Sequence, residues 1–282
     1  MAFLAEGIQA ALHNKVVYRA VTGLFGKLQF SADVAVNVRG QKLYVNTPDR
    51  LLAAFLWKFA LLENYETILL RRLARPGMRA VDIGANIGYY TLLLARLTGP
   101  AGQILAFEPD PNNYRLLSKN IACNQIATVT AIAKGVSNEN GGALLFLNRG
   151  HRGDHRIFDE TGKRPSLAIE TTTLDAALAG RRVDLIKMDI QGAEHLAFQG
   201  MHAVIRRNPA IAIITEFTPH LLEECGSGAH AYLDAIENAG LTYKLINEKS
   251  RCLEPVDRVT LLARCSGSRY GNLLLRSATS RS

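Results

Sequence analysis

The stretch AVDIGANIG at residues 80–88 decides how this chain folds. Its apolar run into Asp82 predicts a buried parallel strand, and the residues from Ile87 onward predict a helix. The small residues between them predict a tight turn, where the backbone can approach a ligand without interference from side chains. Glu108 closes the next predicted strand, where an acidic side chain is placed to accept both hydroxyls of a ribose. Together the two signals predict a site for a ribose-bearing ligand.

The details of the turn indicate which ribose-bearing ligand this is. A dinucleotide motif needs glycine at positions that Asn86 and Tyr89 occupy here, and no Gly-Lys pair opens the helix as a phosphate loop requires. Asn tolerates a left-handed backbone, so Asn86 can hold a turn position that usually needs glycine. S-adenosylmethionine fits because it has a ribose, an adenine and an amino-acid tail but no phosphate. We therefore predict this cofactor, bound by Asp82, Gly84, Ala85, Asn86, Gly88, Glu108 and Pro109.

Several motifs follow one another in a fixed order, and together they resemble one known family. They are VDIGANIGYYTLLLA at 81–95, AFEPDPNNYRLLSKNIACN at 106–124, TTLDAAL at 172–178, VDLIKMDIQGAE at 183–194 and IAIITEF at 211–217. The set resembles the FkbM family of S-adenosylmethionine-dependent methyltransferases over roughly residues 76–265, with a fainter match at 64–66. The resemblance implies methyl transfer, usually to a hydroxyl oxygen of a sugar, a lipid-linked glycan or a polyketide. It also implies that Val136 and Ser137 contact the adenine.

Strand and helix patterns alternate from Met78 onward, which predicts a parallel sheet covered by helices on both faces. Two later β-like runs, at 242–247 and 259–263, have no helix between them and are expected to pair antiparallel. The resemblance implies a class I Rossmann-like methyltransferase fold of the α/β class, with a doubly wound, seven-stranded, mostly parallel sheet containing one antiparallel strand. We expect residues 1–75 to form an N-terminal helical and hairpin cap segment, 76–266 the catalytic domain, and 267–282 a mobile C-terminal tail.

Composition excludes several classes of protein. The 282 residues are 48% hydrophobic and 21% charged, as in an ordinary globular chain, and the net charge of +8 has no long basic run, so no nucleic-acid partner is expected. Four scattered cysteines predict neither a zinc site nor a disulfide framework. With no signal peptide or transmembrane run, the predicted location is cytoplasmic.

The apolar residues of 3–28 recur at helical spacing. We favour a helix that packs over the catalytic domain, and a helix in peripheral contact with a membrane is the alternative. The oligomeric state is left open.

Three charged side chains at neighbouring strand ends are candidates for catalysis. Lys187 and Asp189 are two residues apart on a strand and therefore point to the same face, and Glu216 ends the neighbouring strand. An aliphatic hydroxyl is a poor nucleophile near neutral pH, so a base or a metal is required beside it. In one interpretation the carboxylates bind Mg²⁺. In the other, which we favour, one carboxylate is the general base, Lys187 is its ion-pair partner, and no metal ligand is assigned.

The polar segment 148–156 is a second candidate region, and its Gly-Asp-His-Arg portion at 153–156 resembles a segment of the same family. We interpret His155 as an acceptor contact and as an alternative base. Glu194 is in the first turn of a predicted helix, where it would complement the helix dipole.

Two other functions are weighed against methyl transfer. An NAD-linked Rossmann oxidoreductase would require glycines that this sequence lacks, and a basic protein that binds or methylates RNA would require clustered Lys and Arg, which it also lacks.

Overall fold

The structure is a computed structural model that describes residues 33–45, 64–148, 153–159 and 161–277. Its strands are β1 (Val34–Val38), β2 (Gln41–Val45), β3 (Arg79–Ile83), β4 (Gln103–Phe107), β5 (Val129–Ile132), β6 (Gly135–Val136), β7 (Gly141–Phe146), β8 (Ser166–Thr172), β9 (Leu185–Met188), β10 (Ala212–Phe217), β11 (Leu241–Asn247), β12 (Cys252–Pro255) and β13 (Gly271–Ser277). Its helices are α1 (Tyr65–Leu73), α2 (Tyr89–Thr98), α3 (Pro111–Cys123), α4 (Leu174–Leu178), α5 (Glu194–Gln199), α6 (His202–Arg207), α7 (Pro219–Glu224), α8 (Ala229–Asn238) and α9 (Arg258–Arg264).

The main sheet has eight strands in the order β12-β11-β13-β10-β9-β3-β4-β5. Strands β10, β9, β3, β4 and β5 are parallel, and β13 is inserted antiparallel between β10 and β11. The seven strands from β11 to β5 have the predicted class I arrangement with one reversed strand, so the predicted fold class is confirmed. The eighth strand, β12, was not predicted; it adds a second antiparallel pairing at the β11 edge.

Two predictions about the C-terminal third are wrong. Residues 259–263 lie in helix α9 rather than in a strand, because Asp257 caps that helix by accepting a hydrogen bond from the Thr260 amide. The reversed strand comes instead from residues 271–277, inside the segment that we expected to be a mobile tail. Its side chains Leu273 and Leu275 are fully buried, and this burial explains why the segment is ordered.

The main sheet is covered on both faces, as the alternating pattern predicts. One face carries α1 and α2, which pack on Ala80, Leu185 and Ile214. The opposite face packs against Phe198 and Tyr232 of α5 and α8 within the larger core. Because successive residues of a strand point to opposite faces, the sequence register decides which polar side chains face α1 and α2 at the strand ends.

A smaller sheet, in the order β6-β8-β7, is formed by the three strands that follow β5 in the chain. Its strands β7 and β8 form an antiparallel pair, and the backbones of Phe146 and Arg156 form an additional bridge. Strands β7 and β8 thus form one hairpin. This hairpin brings the segment 153–158 back toward the main sheet, where it contributes to the cleft described below.

The predicted N-terminal hairpin is β1 and β2, with Arg39 and Gly40 both at positive φ in its turn. It docks on α3, where the Asn120 side chain bonds both the amide and the carbonyl of Tyr44. Of the helical part predicted for the N-terminal segment 1–75, the structure shows α1, and the predicted helix at 3–28 lies outside the described residues. Within the described part of the chain, no helix is both long and apolar enough to cross a membrane.

Candidate functional site

One cleft lies between the carboxyl ends of the main-sheet strands and the smaller sheet, with a volume of about 760 Å³ that includes open solvent. Parallel sheets place ligands at this edge because the loops that follow the strands converge there. The main-sheet side supplies Glu108, Pro109 and Asp189, and the small-sheet side supplies apolar residues, including Leu145 and Ile169.

The turn after β3 has the conformation that its sequence predicts. Gly84, Asn86 and Gly88 have φ values of 81°, 50° and 96°, so Asn86 does hold a left-handed position. The amides of Gly84 and Ala85 both donate to the Phe107 carbonyl at 3.0 and 2.9 Å, which ties the turn to β4. A Cβ atom on Gly84 would lie 2.1 Å from the backbone oxygen of Asp189, so glycine is required for close packing of the two turns.

Glu108 is buried at the floor of the cleft, immediately after β4. Its carboxylate accepts hydrogen bonds from the amides of Asn86 and Asp110, at 2.8 and 2.9 Å. Burial raises the pKa of Glu108 to about 7, although these two amides lower it. Each carboxylate oxygen keeps further accepting capacity, which suits a vicinal diol.

The predicted cofactor residues divide into two groups. Six of them line the cleft: Gly84, Asn86, Glu108, Pro109, Val136 and Ser137. Asp82, Ala85 and Gly88 do not line it; they are part of the framework of the turn. Asp82 is 2% exposed and accepts a hydrogen bond from the Thr91 hydroxyl at 2.5 Å, while burial raises its pKa to about 6. The structure therefore places Asp82 beneath the turn, where it supports the site from behind.

The strand register brings the three predicted catalytic residues to one face of the sheet. Lys187 pairs with Asp82 on one side and with Ile214 on the other, and Glu216 is two residues beyond Ile214. Asp189 follows Lys187 by the same spacing, so all these side chains face α1 and α2. Asp189 lines the cleft with 42% of its side chain exposed, whereas Lys187 is 1% exposed and Glu216 is 8% exposed.

Lys187 joins this group through ion pairs to two carboxylates. Its ammonium lies 3.1 Å from Glu66 of α1 and 3.6 Å from Asp189, and these charges raise its pKa although burial opposes them. The second oxygen of Glu66 accepts from the Asn272 amide group at 2.8 Å. Sequence reasoning missed Glu66 and Asn272 as members of the site. The only signal for Glu66 was the faint family match at 64–66, and Asn272 lay in the expected tail.

Gln191 connects the two carboxylates that end β9 and β10. Its amide nitrogen donates to Asp189 at 2.9 Å and to Glu216 at 3.2 Å. The pKa of Glu216 is raised well above its usual range, chiefly by burial and also by the charges of Asp189 and Glu194. This group therefore combines an exposed carboxylate, a buried carboxyl that is hard to ionise and an amide that orients both.

Glu194 holds the turn that positions Gln191. Its two carboxylate oxygens accept from the amides of Ile190 and Gly192, both at 2.9 Å. Gln191 and Gly192 both have positive φ, at 53° and 103°, so this turn depends on Glu194 to satisfy its amides. Glu194 is fully buried, and burial raises its pKa to about 7. Within the described residues, no group of three or more His, Cys, Asp or Glu side chains is arranged to hold a metal ion.

His155 lines the cleft from the small-sheet side. Its Nδ1 accepts from the amide of Asn148 at 3.1 Å, and its Nε2 lies 3.8 Å from the carboxylate of Asp110. Asp110 caps α3 directly after Glu108 and Pro109, so the structure places His155 near the predicted ribose position. Tyr270, which sequence reasoning did not single out, directly precedes β13. Its partial burial raises its pKa, and the nearby charges of Glu216 and Asp189 add to this increase.

Several known proteins are similar to this chain. The chain is 29% identical over 154 residues to "Methyltransferase sdnD" of Sordaria araneosa, and this match covers 43% of this chain and 59% of that protein. It is 27% identical over 143 residues to "Methyltransferase 1" of Beauveria bassiana strain ARSEF 2860, covering 43% and 57%. The chain thus spans less than two thirds of the length of these curated relatives. The solved structure of methyltransferase FkbM from Methylobacillus flagellatus KT has a TM-score of 0.42 and 15% identity, covering 94% of this chain and 60% of that one.

The family model described as the methyltransferase FkbM domain matches residues 82–243, which is more than half of the chain. The matched region begins at Asp82 and includes Glu108, Asp189 and Glu216, so it contains both ends of the cleft. This chain belongs to the FkbM methyltransferase domain family.

Proposed function

We propose that this protein is an S-adenosylmethionine-dependent O-methyltransferase. Its acceptor would be a hydroxyl group of a sugar, of a glycan or lipid-linked saccharide, or of a polyketide-type molecule. The observation that carries the proposal is a single cleft with the Glu108 carboxylate at its floor and the Asp189 carboxylate also in its lining. Family membership supports the methyl transfer, and the acceptor class rests on what is usual for the family.

The residues around Glu108 suit the nucleoside part of the cofactor. The Glu108 carboxylate would accept the two ribose hydroxyls, and Val136 and Ser137 would lie against the adenine. Apolar side chains of the small sheet, among them Leu145, offer the adenine a surface to pack on. Asp82 would act from beneath by holding the turn through Thr91. When bound, S-adenosylmethionine supplies a methyl group on a positively charged sulfur, and this charge suits the negative side chains nearby.

Asp189 is the residue best placed to take the proton of the acceptor hydroxyl. It lines the cleft, while Glu216 is largely buried behind Gln191 and its pKa is raised. Lys187 lies 3.6 Å from Asp189, and this ion pair orients the Asp189 carboxylate. Glu216 contributes by fixing the Gln191 amide that also holds Asp189. The alternative role for the two carboxylates, binding of Mg²⁺, predicts a different response to chelators.

The test is the transfer of an isotopically labelled methyl group from S-adenosylmethionine to a panel of glycans, glycolipids and polyketide alcohols. With the acceptor found in this way, Asp189→Asn should lower turnover by about 10²–10⁴-fold, because removing a general base has effects of this size. Glu216→Gln should also lower turnover, because it disturbs the Gln191 amide that orients Asp189. Their affinity for S-adenosylhomocysteine should stay within a few-fold of wild type. Exposed Glu139 offers a matched control, since Glu139→Gln should change neither quantity.

The role of a metal is decided in the same assay. If a carboxylate is the base, EDTA leaves wild-type turnover unchanged. Loss of turnover in EDTA and its recovery with Mg²⁺ would assign the carboxylates to a metal instead. Wild-type rates in both carboxylate variants would move the catalytic group elsewhere in the cleft. Thermal stabilisation by NADH but not by S-adenosylhomocysteine would favour the oxidoreductase hypothesis over methyl transfer.

A further inference from the structure

The edge of the main sheet opposite the cleft carries a group of exposed arginines. It is formed by three segments that lead into the neighbouring parallel strands β3, β9 and β10, at residues 74–79, 179–184 and 206–211. Each segment has two exposed arginines; the six are Arg75, Arg79, Arg181, Arg182, Arg206 and Arg207. We call this group the arginine edge. Because neighbouring strands lie about 4.8 Å apart, the fold gathers charges that are well separated in the sequence.

Hydrogen bonds join the three segments into one surface. The Asp184 amide donates to the Arg79 carbonyl at 2.8 Å, and the Arg79 amide donates to the Asp184 carboxylate at 2.9 Å. The Asp184 carbonyl accepts from the amide of Ala212 at 3.1 Å, and the Val183 amide donates to the Asn208 side chain at 3.2 Å. The backbone beneath the arginines is therefore fixed before any partner arrives, which limits the entropy lost on binding.

Most of the positive charge of the arginine edge is not neutralised. Asp184 is the only acidic residue in the three segments, and it pairs with Arg182 at 2.9 Å. Arg75 and Arg181 donate to carbonyls at the ends of α1 and α4, which carry no net charge. Within the described part of the chain, the side chains of the other three arginines have neither an ion pair nor a hydrogen bond. The loops that lead into β4 and β5, at 99–102 and 124–128, have no charged residue.

The distribution of these charges suits a planar anionic partner. Arg75 follows α1 on one face of the sheet, whereas Arg206 and Arg207 end α6, which packs on the opposite face. The charges are thus spread in two dimensions across the end of the three layers. Surfaces that bind single-stranded nucleic acid combine basic residues with aromatic side chains, and the three segments contain no aromatic residue. They also present no helix or strand pair that could enter a groove of duplex nucleic acid.

We propose that the arginine edge docks the protein on a membrane surface rich in anionic phospholipids. Guanidinium groups are suited to this role because their fixed donors match the oxygens of lipid phosphates. The surface is separate from residues 3–28, for which the sequence offers membrane contact as an alternative. The cleft lies at the other end of the parallel strands, so docking leaves it open to water. The inference does not depend on the proposed methyl transfer.

The experiment is co-sedimentation of the full chain with vesicles of phosphatidylcholine alone and with vesicles of phosphatidylcholine and phosphatidylglycerol. The protein should bind only the anionic vesicles, and added salt should weaken this binding because it screens exposed charges. The double variant Arg79→Gln/Arg206→Gln should lose about tenfold to thirtyfold in affinity, since each arginine near an anionic surface contributes about fivefold. The matched control is Lys163→Gln/Lys249→Gln, which removes the same charge from exposed residues outside the arginine edge. Circular dichroism checks that both variants are folded.

Several outcomes would overturn the proposal. One is equal vesicle affinity of the two double variants, and another is failure of the wild-type protein to bind anionic vesicles. Binding that is equal on both kinds of vesicle and insensitive to salt would assign membrane contact to apolar insertion of another segment. Duplex RNA is the remaining comparison: RNA bound in preference to anionic vesicles, with the loss confined to Arg79→Gln/Arg206→Gln, would assign the arginine edge to nucleic acid. In each of these cases the proposed methyl transfer stands.

Discussion

At the scale of single residues, the turn after β3 shows what a sequence can and cannot predict. The left-handed conformation of Asn86 was predicted because few other side chains tolerate it, and its φ of 50° agrees. Gly84 was predicted as a position where the backbone approaches a ligand. Its Cβ position would instead meet the backbone of Asp189, which is over a hundred residues away in the chain. The need for glycine was predictable, but its partner was not.

This difference leads to a prediction that compares two glycines with almost the same φ. Gly84 has φ +81° and Gly77 has φ +82°, but nothing lies within 4 Å of a Cβ on Gly77. Gly77→Ala should therefore cost only the left-handed strain, about 1–2 kcal/mol. Gly84→Ala should cost this plus a further ~1–3 kcal/mol for the clash with the turn after β9. Urea denaturation measures both values, and equal losses would show that the contact with Asp189 is unimportant.

The residues of the site were predictable to the extent that their positions follow from strand ends. Lys187, Asp189 and Glu216 were found because the carboxyl ends of parallel strands converge. Glu66 and Asn272 were not, because the hydrogen bond between them joins positions 206 residues apart in the chain. Such a contact depends on how α1 and β13 pack on the sheet, and no local pattern encodes it.

At the scale of elements, short apolar runs are where the sequence misled us. Apolar and polar residues alternate poorly along residues 259–263, and the run is too short to distinguish a strand from a helix. Val259 is 79% exposed in α9, so the run is not a buried strand. Asp257, two residues before this run, is a preferred helix N-cap residue, and this signal would have corrected the assignment. The strand β13 was missed because its Ser-, Gly- and Arg-rich approach resembles a disordered tail, although Leu273 to Leu275 are buried.

The position of β13 between β10 and β11 predicts that its core side chains are critical for folding. Leu273 is fully buried, and Leu273→Ala should lower the free energy of unfolding by about 2–5 kcal/mol, as truncations in a packed core do. Leu144→Ala, in strand β7 of the smaller sheet, is a matched control, because Leu144 is 52% exposed and should lose less than about 0.5 kcal/mol. Chemical denaturation compares them. If both variants lose the same small amount, residues 271–277 behave as part of the mobile tail that we expected from the sequence.

At the scale of the whole molecule, the cleft and its surroundings concentrate buried acidic groups in a protein whose net charge is +8. Burial raises the pKa of Asp82 to about 6 and the pKa values of Glu108 and Glu194 to about 7. It also raises those of Glu66 and Glu216. Keeping these groups ionised inside the fold costs stability, which is expected where a site is built for function. A positively charged ligand beside them would recover part of that cost.

This arrangement determines how stability should depend on pH. In the unfolded chain the carboxyl groups lose their protons near pH 4, whereas Asp82, Glu108 and Glu194 in the folded protein keep theirs until about pH 6 or 7. The folded state therefore binds more protons between about pH 4 and 7, so the free energy of unfolding falls as the pH rises through this interval.

We expect a higher melting temperature at pH 5.5 than at pH 7.5, measured by calorimetry without ligand. His195 acts in the opposite direction because burial lowers its pKa, but it is one group against several carboxyls. Glu194→Gln should flatten the pH dependence, since an amide there has no proton to lose. Exposed Glu139→Gln should leave the dependence unchanged. A wild-type protein that becomes less stable between pH 7.5 and 5.5 would mean that these carboxyl groups are solvated or paired in solution. Glu108 would then be ionised throughout this range.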